Sequence, residues 1–435
     1  MTTHAPLVDS PTTGHRDPAL VTGLDVRAAN GSGTEAFWQS LLEGRSGIGR
    51  ITRFDASGYP SRLAGEIDGF DPAATLPGRL LPQTDRVTQL ALTSAAEVLR
   101  DAGLDPATLP EYGIGVVTAN SAGGFEFGQR ELESLWAKGP RHVSAYQSFA
   151  WFYAVNTGQI SIRHGLRGPS GVLVSGQAGG LDAVGHARRM LRKGTLAVLT
   201  GAMESALCPW GHVAELTGNR LSTADRPEDA CLPFGERAAG QVAAEGGALL
   251  VLESAASAGA RGSAHDYGEV AGYAACFDPP PGSGRPGGLV RAARAALADA
   301  GTEPSAIGAV FAEGAAVPEL DAREAAAITE IFGPHEVPVT AITSLTGRPG
   351  AGASALDLAA ALLAVRDGLI PPTADVGQVS ASHRIDLVTG RPRPLVGDAA
   401  LVLARGLGGF NSAVVVRRAD RPRQSFHPST EPTGR

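Results

Sequence analysis

"ALTSAAEVLRDAGLDPATLPEYGIGVVTANSAG", residues 91–123, has a counterpart in the second half of the chain, "GLVRAARAALADAGTEPSAIGAVFAEGAA", residues 288–316. Each is a helical pattern stopped by "DAG", then a short loop, an apolar strand-like run and a glycine-containing turn. A repeat of this kind describes one chain built from two homologous α/β halves. Further apolar runs, "ALVTGLDV", "GVLVSG", "TLAVLTGA" and "GALLVLES", alternate with helical patterns and predict buried sheets. The halves are expected over 19–255 and 267–418. The small-residue stretch "SAASAGARGSAHD", 254–266, should divide them, and "DPPPGSGRPGG", 278–288, should be a loop inside the second half. Polar, proline-containing ends, 1–18 and 419–435, read as mobile tails.

A chain of 435 residues is long enough to bury a sizeable core without staples. Its three cysteines, Cys208, Cys231 and Cys276, are odd in number and lie in no metal-like spacing, which fits the cytoplasm and calls for no metal or other cofactor. Net charge is −7 without long single-sign blocks, so a nucleic-acid partner is not expected. No apolar run approaches the ~18 residues of a membrane span, nor does the start carry a signal-like core.

"GVLVSGQAGGLDAVGHARRMLRKG", residues 171–194, places an apolar run (Val172 to Val174), a small-residue turn and a helix from near Leu181 in succession. Such a strand-turn-helix suits a nucleophilic cysteine, whose thiolate is stabilised by free N–H groups and the helix dipole. The residue at the apex is Gln177, whose amide has no lone pair suited to attack on a thioester. Taken alone, Gln177 is equally a simple turn residue.

Around this turn the chain resembles the β-ketoacyl synthases. The likeness is carried by "NTGQISIRHGLRGPSG", by "CLPFGERAAGQVAAEGGALLVLE" (231–253, with Pro233, Phe234, Arg237, Glu245 and Gly246) and by "GLGGFN" (406–411). It implies a thiolase-like α/β fold, two halves with buried mixed sheets in a layered αβαβα arrangement. It also implies a condensing site of one Cys, two His and a supporting Lys. Here Gln177 stands for the cysteine, Glu313 and Arg348 for the histidines, and Thr343 for the lysine. Four replacements remove nucleophile, polarising donors and cation together, so no condensing residue is expected.

"LLPQTD", "VTANSAGGF", "SFAWFYAVNTGQISIRHG", "QAGGLDA" and "VPELDA" are similar in particular to the chain length factors, the ketosynthase β subunits of bacterial type II aromatic polyketide synthases. That resemblance implies a heterodimer with a ketosynthase α subunit, acting on an acyl carrier protein that carries malonyl units and the polyketide, with the inactive subunit shaping a tunnel that sets chain length. Phe125, Gly128 and Leu132 fall on one face of a helix in "GGFEFGQRELESLW" and are the expected tunnel residues. Gly128 lacks a side chain and Leu132 is smaller than an aromatic ring, which predicts a tunnel longer than an octaketide requires. The same three also suit an ordinary core. "WFY", 151–153, is equally core or interface, and "HARRMLRKG", 186–194, is a solvated helix face more readily than a carrier-protein dock.

Three rival functions have a foothold. Some loading ketosynthases with Gln at this seat decarboxylate malonyl groups, but they keep the His pair missing here. "GSGTEA", 31–36, approximates a dinucleotide fingerprint, although its glycines come late after the strand. "ANSAG" puts Ser121 after a strand as a hydrolase would, with Ala119 in place of the first glycine of the motif.

Overall fold

The computed structural model describes residues 17–263, 266–280 and 282–419. The expected tails therefore lie outside the described residues, apart from 17, 18 and 419. The repeat is visible in the strands. The first half contributes β1 (Ala19–Ala28), β2 (Ile114–Ala119), β3 (Ser170–Leu173), β4 (Ala197–Glu204) and β5 (Gly246–Ser254). The second contributes β6 (Glu269–Phe277), β7 (Ile307–Phe311), β8 (Pro338–Thr340), β9 (Ala399–Gly406) and β10 (Phe410–Arg417). The first runs in the order β1-β5-β4-β2-β3 and the second β6-β10-β9-β7-β8, so equivalent strands differ by five. Pairing sense matches at every step, antiparallel twice and then parallel twice. The sheets join where β1 meets β6, with Leu20 opposite Glu269.

Helices α1 (Arg86–Asp101), α2 (Phe125–Lys138), α3 (Val155–His164), α4 (Gly179–Arg192) and α5 (Pro209–Leu216) belong to the first half. After α6 (Ala255–Arg261) come α7 (Gly288–Ala300), α8 (Pro318–Phe332) and α9 (Gly350–Asp367). The "DAG" helices α1 and α7 cover the outer faces of their own sheets, α1 on β1 and β5, α7 on β6 and β10. α4 and α9 pack on each other and on strands of both halves, forming the middle of an αβαβα stack.

Two-sided burial explains the strand sequences. On β5, Leu249 and Val251 enter the outer core while Ala248, Leu250 and Leu252 enter the central one. On β9, Leu401 and Leu403 face outward and Ala400, Val402 and Ala404 inward. α9 is buried on every side from Ala351 to Val365, hence its lack of a polar face.

Two expectations need correction. The helix after Gln177 begins at Gly179 rather than near Leu181, because the glycine pair belongs to it: a Cβ on Gly180 would meet Ala355 N of α9 at 2.7 Å. The strand before it ends at Leu173, leaving Val174 exposed. In the stretch expected to divide the halves, Ser254 caps α6 by accepting the Ser257 N–H at 3.1 Å and Gly262 closes the helix in the left-handed conformation.

Candidate functional site

Gln177 lies between β3 and α4, in a turn held from three directions. Asp182, one turn into α4, accepts hydrogen bonds from Ser175 Oγ, Tyr273 Oη and Ser412 Oγ, so β6 and β10 of the second half brace it. Gly406 closes over the turn so tightly that a Cβ there would lie 2.1 Å from the Ser175 carbonyl oxygen. The Gln177 side chain is 9% exposed, and among the described residues no hydrogen bond holds its amide.

Glu313, Thr343 and Arg348 converge in one buried network. The Glu313 carboxylate pairs with the Arg348 guanidinium through Oε1 and takes the Arg405 Nε–H at 2.6 Å through Oε2. Arg405 also donates to Glu324 at 3.2 Å and to the Leu320 carbonyl at 2.8 Å. The Glu324 carboxylate accepts the backbone N–H groups of Glu313 and Gly314 at 2.9 and 3.0 Å. Arg348 donates onward to Gln241 and to the Arg405 carbonyl, which adjoins Gly406 and so the Gln177 turn. Thr343 Oγ donates to the carbonyls of Glu313 and Gly314 at 3.2 and 2.9 Å, bracing that turn.

Burial governs the ionisation of this region. Burial first, and Arg405 beside it second, bring the Arg348 guanidinium down to about 10, so it stays charged at neutral pH. Burial pushes Asp357 on α9 well above the usual carboxylate range. Glu204, at the end of β4, is pushed up to about 7 by burial, against the hydrogen bonds it accepts from the Ser121 N–H and Oγ. Ser121 is thus a donor to a buried carboxyl. In "GSGTEA" residues 31–32 pair back onto the end of β1, so no phosphate-binding turn forms there. Two surface clefts, of about 500 and 420 Å³, are lined by Asp25, Glu97 and Tyr267 and by Arg53, Glu66 and Arg86; neither is lined by Gln177, Glu313, Thr343 or Arg348.

On α2, Phe125 is half-buried, Gly128 buried and Leu132 37% exposed. The space above Gly128 is not empty. A Cβ there would meet Trp210 Cζ3 at 3.0 Å and Trp151 Cβ at 3.7 Å, and the Trp210 ring packs on Phe125 with centroids 4.7 Å apart. Trp151, Phe152 and Tyr153 are all on the surface. In the basic run, Arg188 turns inward to Asp299 at 2.7 Å and to the Ala271 carbonyl, joining α4 to the second half.

Arg405, Glu324, Gln241, Glu204 and Trp210 were not singled out by the sequence. Arg405 offered a signal, a lone cation at the end of the apolar run "AALVLARG". Glu324 and Gln241 sit in helix and loop patterns that look ordinary until the fold brings Glu324 to Glu313 and Gln241 to Arg348.

The β-ketoacyl synthase N-terminal domain profile matches residues 16–258 and the C-terminal domain profile residues 267–377. The chain is 59% identical over 402 residues to the tetracenomycin polyketide synthase ketoacyl synthase beta subunit of Streptomyces glaucescens, covering 92% of this chain and 98% of that one. It is 58% identical over 399 residues to the actinorhodin polyketide putative beta-ketoacyl synthase 2 of Streptomyces coelicolor, with the same coverage. Among solved structures, the ishigamide ketosynthase/chain length factor superposes with a TM-score of 0.86 at 27% identity, over 93% of this chain and 100% of that one. A type II polyketide synthase acyl-carrier protein in complex with its ketosynthase bound to the hexaketide gives 0.83 at 26%, with the same coverage. With its thiolase-like fold and its paired profiles, the chain belongs to the β-ketoacyl synthase family and is similar to the family's ketosynthase β subunits.

Proposed function

We propose that this chain is the non-condensing β subunit of a type II polyketide ketosynthase, pairing with an active ketosynthase α subunit and shaping the tunnel that sets poly-β-keto chain length. The observation that carries this reading is the Glu313–Arg348–Arg405 network, in which charge fills the positions a condensing site needs for substrate. Each cation is neutralised by a buried carboxylate, so none is free to hold a malonyl carboxylate. This also disfavours the decarboxylase alternative.

A partner is supported by the surface between residues 132 and 174. Trp136 is 83% and Ile162 78% exposed, and Leu132, Tyr146, Trp151, Phe152, Tyr153 and Val174 are exposed as well, in the stretch of chain that runs up to and just past the edge strand β3. An apolar face of this extent on a folded chain marks an interface. The ketosynthase α subunit is the proposed occupant, and the substrate is delivered by an acyl carrier protein. No helix among the described residues is long and apolar enough to cross a membrane. We place the complex in the cytoplasm, where three unpaired thiols persist.

Phe125, Gly128 and Leu132 are the proposed tunnel residues, with Trp210 as the ring that limits the space over Gly128, and a product longer than an octaketide remains the proposed outcome. Enlarging Gly128 and Leu132 together should shorten the product. The deciding experiment supplies malonyl-loaded carrier protein to this chain alone, to a matching ketosynthase α subunit alone and to both, reading carbon dioxide and polyketide mass. Polyketide from the mixture only is the expected result. Rapid carbon dioxide release by this chain alone would instead establish a decarboxylase.

A further inference from the structure

Helices α2 and α5 are tied by a side-chain hydrogen bond as well as by the Phe125–Trp210 ring contact. Gln129 Oε1 accepts the backbone N–H of Trp210 at 2.9 Å, while its Nε2 donates to Glu133 Oε1 at 2.8 Å, one turn further along α2. A carboxylate at 133 accepts only, so it draws the amide nitrogen toward itself and turns the oxygen to α5. At the start of α5, Pro209 has no N–H, Gly211 N–H bonds Cys208 Sγ at 3.4 Å, and His212 N–H bonds the Cys208 carbonyl at 2.8 Å. Trp210 thus has the one N–H of this first turn that is satisfied from another helix. Its ring rests on Phe125 and over Gly128, yet it is 39% exposed, so packing confines it from one side only.

We propose that Gln129 is a positioning residue for chain-length control, fixing the start of α5 so that the Trp210 ring stays over Gly128. The proposal rests on the chain-length reading given above. Removing the acceptor frees the first turn of α5 to move outward, and the ring moves with it. The space beside Phe125 and Gly128 then lengthens without any change to a residue that lines it.

The test uses the heterodimer with its ketosynthase α subunit and malonyl-loaded carrier protein, and reads product mass. Gln129→Leu and Trp210→Ala should both give products longer by at least one malonyl-derived unit. Gln129→Glu/Glu133→Gln exchanges donor and acceptor while keeping an oxygen for Trp210 N–H, and it should restore the parent length. Amide hydrogen exchange over residues 208–213 should accelerate roughly fivefold in Gln129→Leu, as expected for loss of one hydrogen bond. Parent-length product from Gln129→Leu at reduced turnover, or unchanged exchange, would overturn the proposal while Trp210→Ala still lengthens the product. If Trp210→Ala and an enlarged Gly128 both leave the length unaltered, the chain-length reading itself fails and this inference falls with it. Gln129→Ala takes the same place should Gln129→Leu not assemble.

Discussion

Glu204 shows how one buried side chain ties stability to pH. Its carboxyl is pushed up to about 7 from an ordinary 4.5, so between those values the folded protein holds a proton that the unfolded chain has released. Stability is therefore greatest below that window and falls as pH rises through it. The difference corresponds to about 3 kcal/mol at pH 8. Glu204→Gln should flatten this decline and raise Tm at pH 8 relative to the parent, as followed by thermal melts from pH 5 to 8. Asp321, which burial brings up to about 7, supplies a residual slope of the same sign. At the replaced site, Arg348→Met leaves Glu313 with Arg405 as its remaining cation and should cost about 3–5 kcal/mol. Glu313→Leu/Arg348→Met should recover much of that loss in urea melts, because no opposed pair is then left half broken. Gln177→Cys by itself should produce no polyketide, since Glu313, Thr343 and Arg348 are committed to one another.

At the scale of elements, two helices depend on a single carboxylate. Asp85 caps α1 by accepting the Val87 N–H at 2.9 Å and accepts the Phe127 N–H of α2 at 2.7 Å. Its complete burial brings it up to about 6. Asp85→Asn is nearly isosteric but turns an NH₂ toward one of those donors, and should cost about 1–3 kcal/mol in denaturant titrations. The central helices are limited by contact instead. A Cβ on Gly180 would lie 2.7 Å from Ala355 N, 2.8 Å from Ser354 Oγ and 2.9 Å from the Ala351 carbonyl. Gly180→Ala must therefore part α4 from α9, at about 1–3 kcal/mol, and circular dichroism melts would record it as a lower Tm.

For the whole molecule, the apolar face from 132 to 174 predicts dependence on a partner. Alone, the chain should self-associate at micromolar concentration in sedimentation velocity; with the ketosynthase α subunit it should run as a single heterodimer. Ile162→Asp, at a position 78% exposed and so free of core contacts, should weaken the heterodimer at least tenfold while leaving the fold unchanged by circular dichroism. A heterodimer of unaltered affinity would exclude this face as the interface.

The repeated helix-stop-strand units at 91–123 and 288–316 determined the two-halved α/β architecture by themselves, because strands buried on both faces and amphipathic helices leave periodic traces in the chain. Local motifs singled out Glu313, Thr343 and Arg348, which the fold brings into contact. Their other partners were not legible. Arg405 reaches Glu313 across 92 residues and Gln241 reaches Arg348 across 107, and nothing local in either segment specifies such a contact. The same holds for Trp210 over Gly128 and for Gln129 beneath it. Only the tertiary structure decided these, since long-range packing fixes which side chains meet, whereas sequence periodicity fixes only which face each presents.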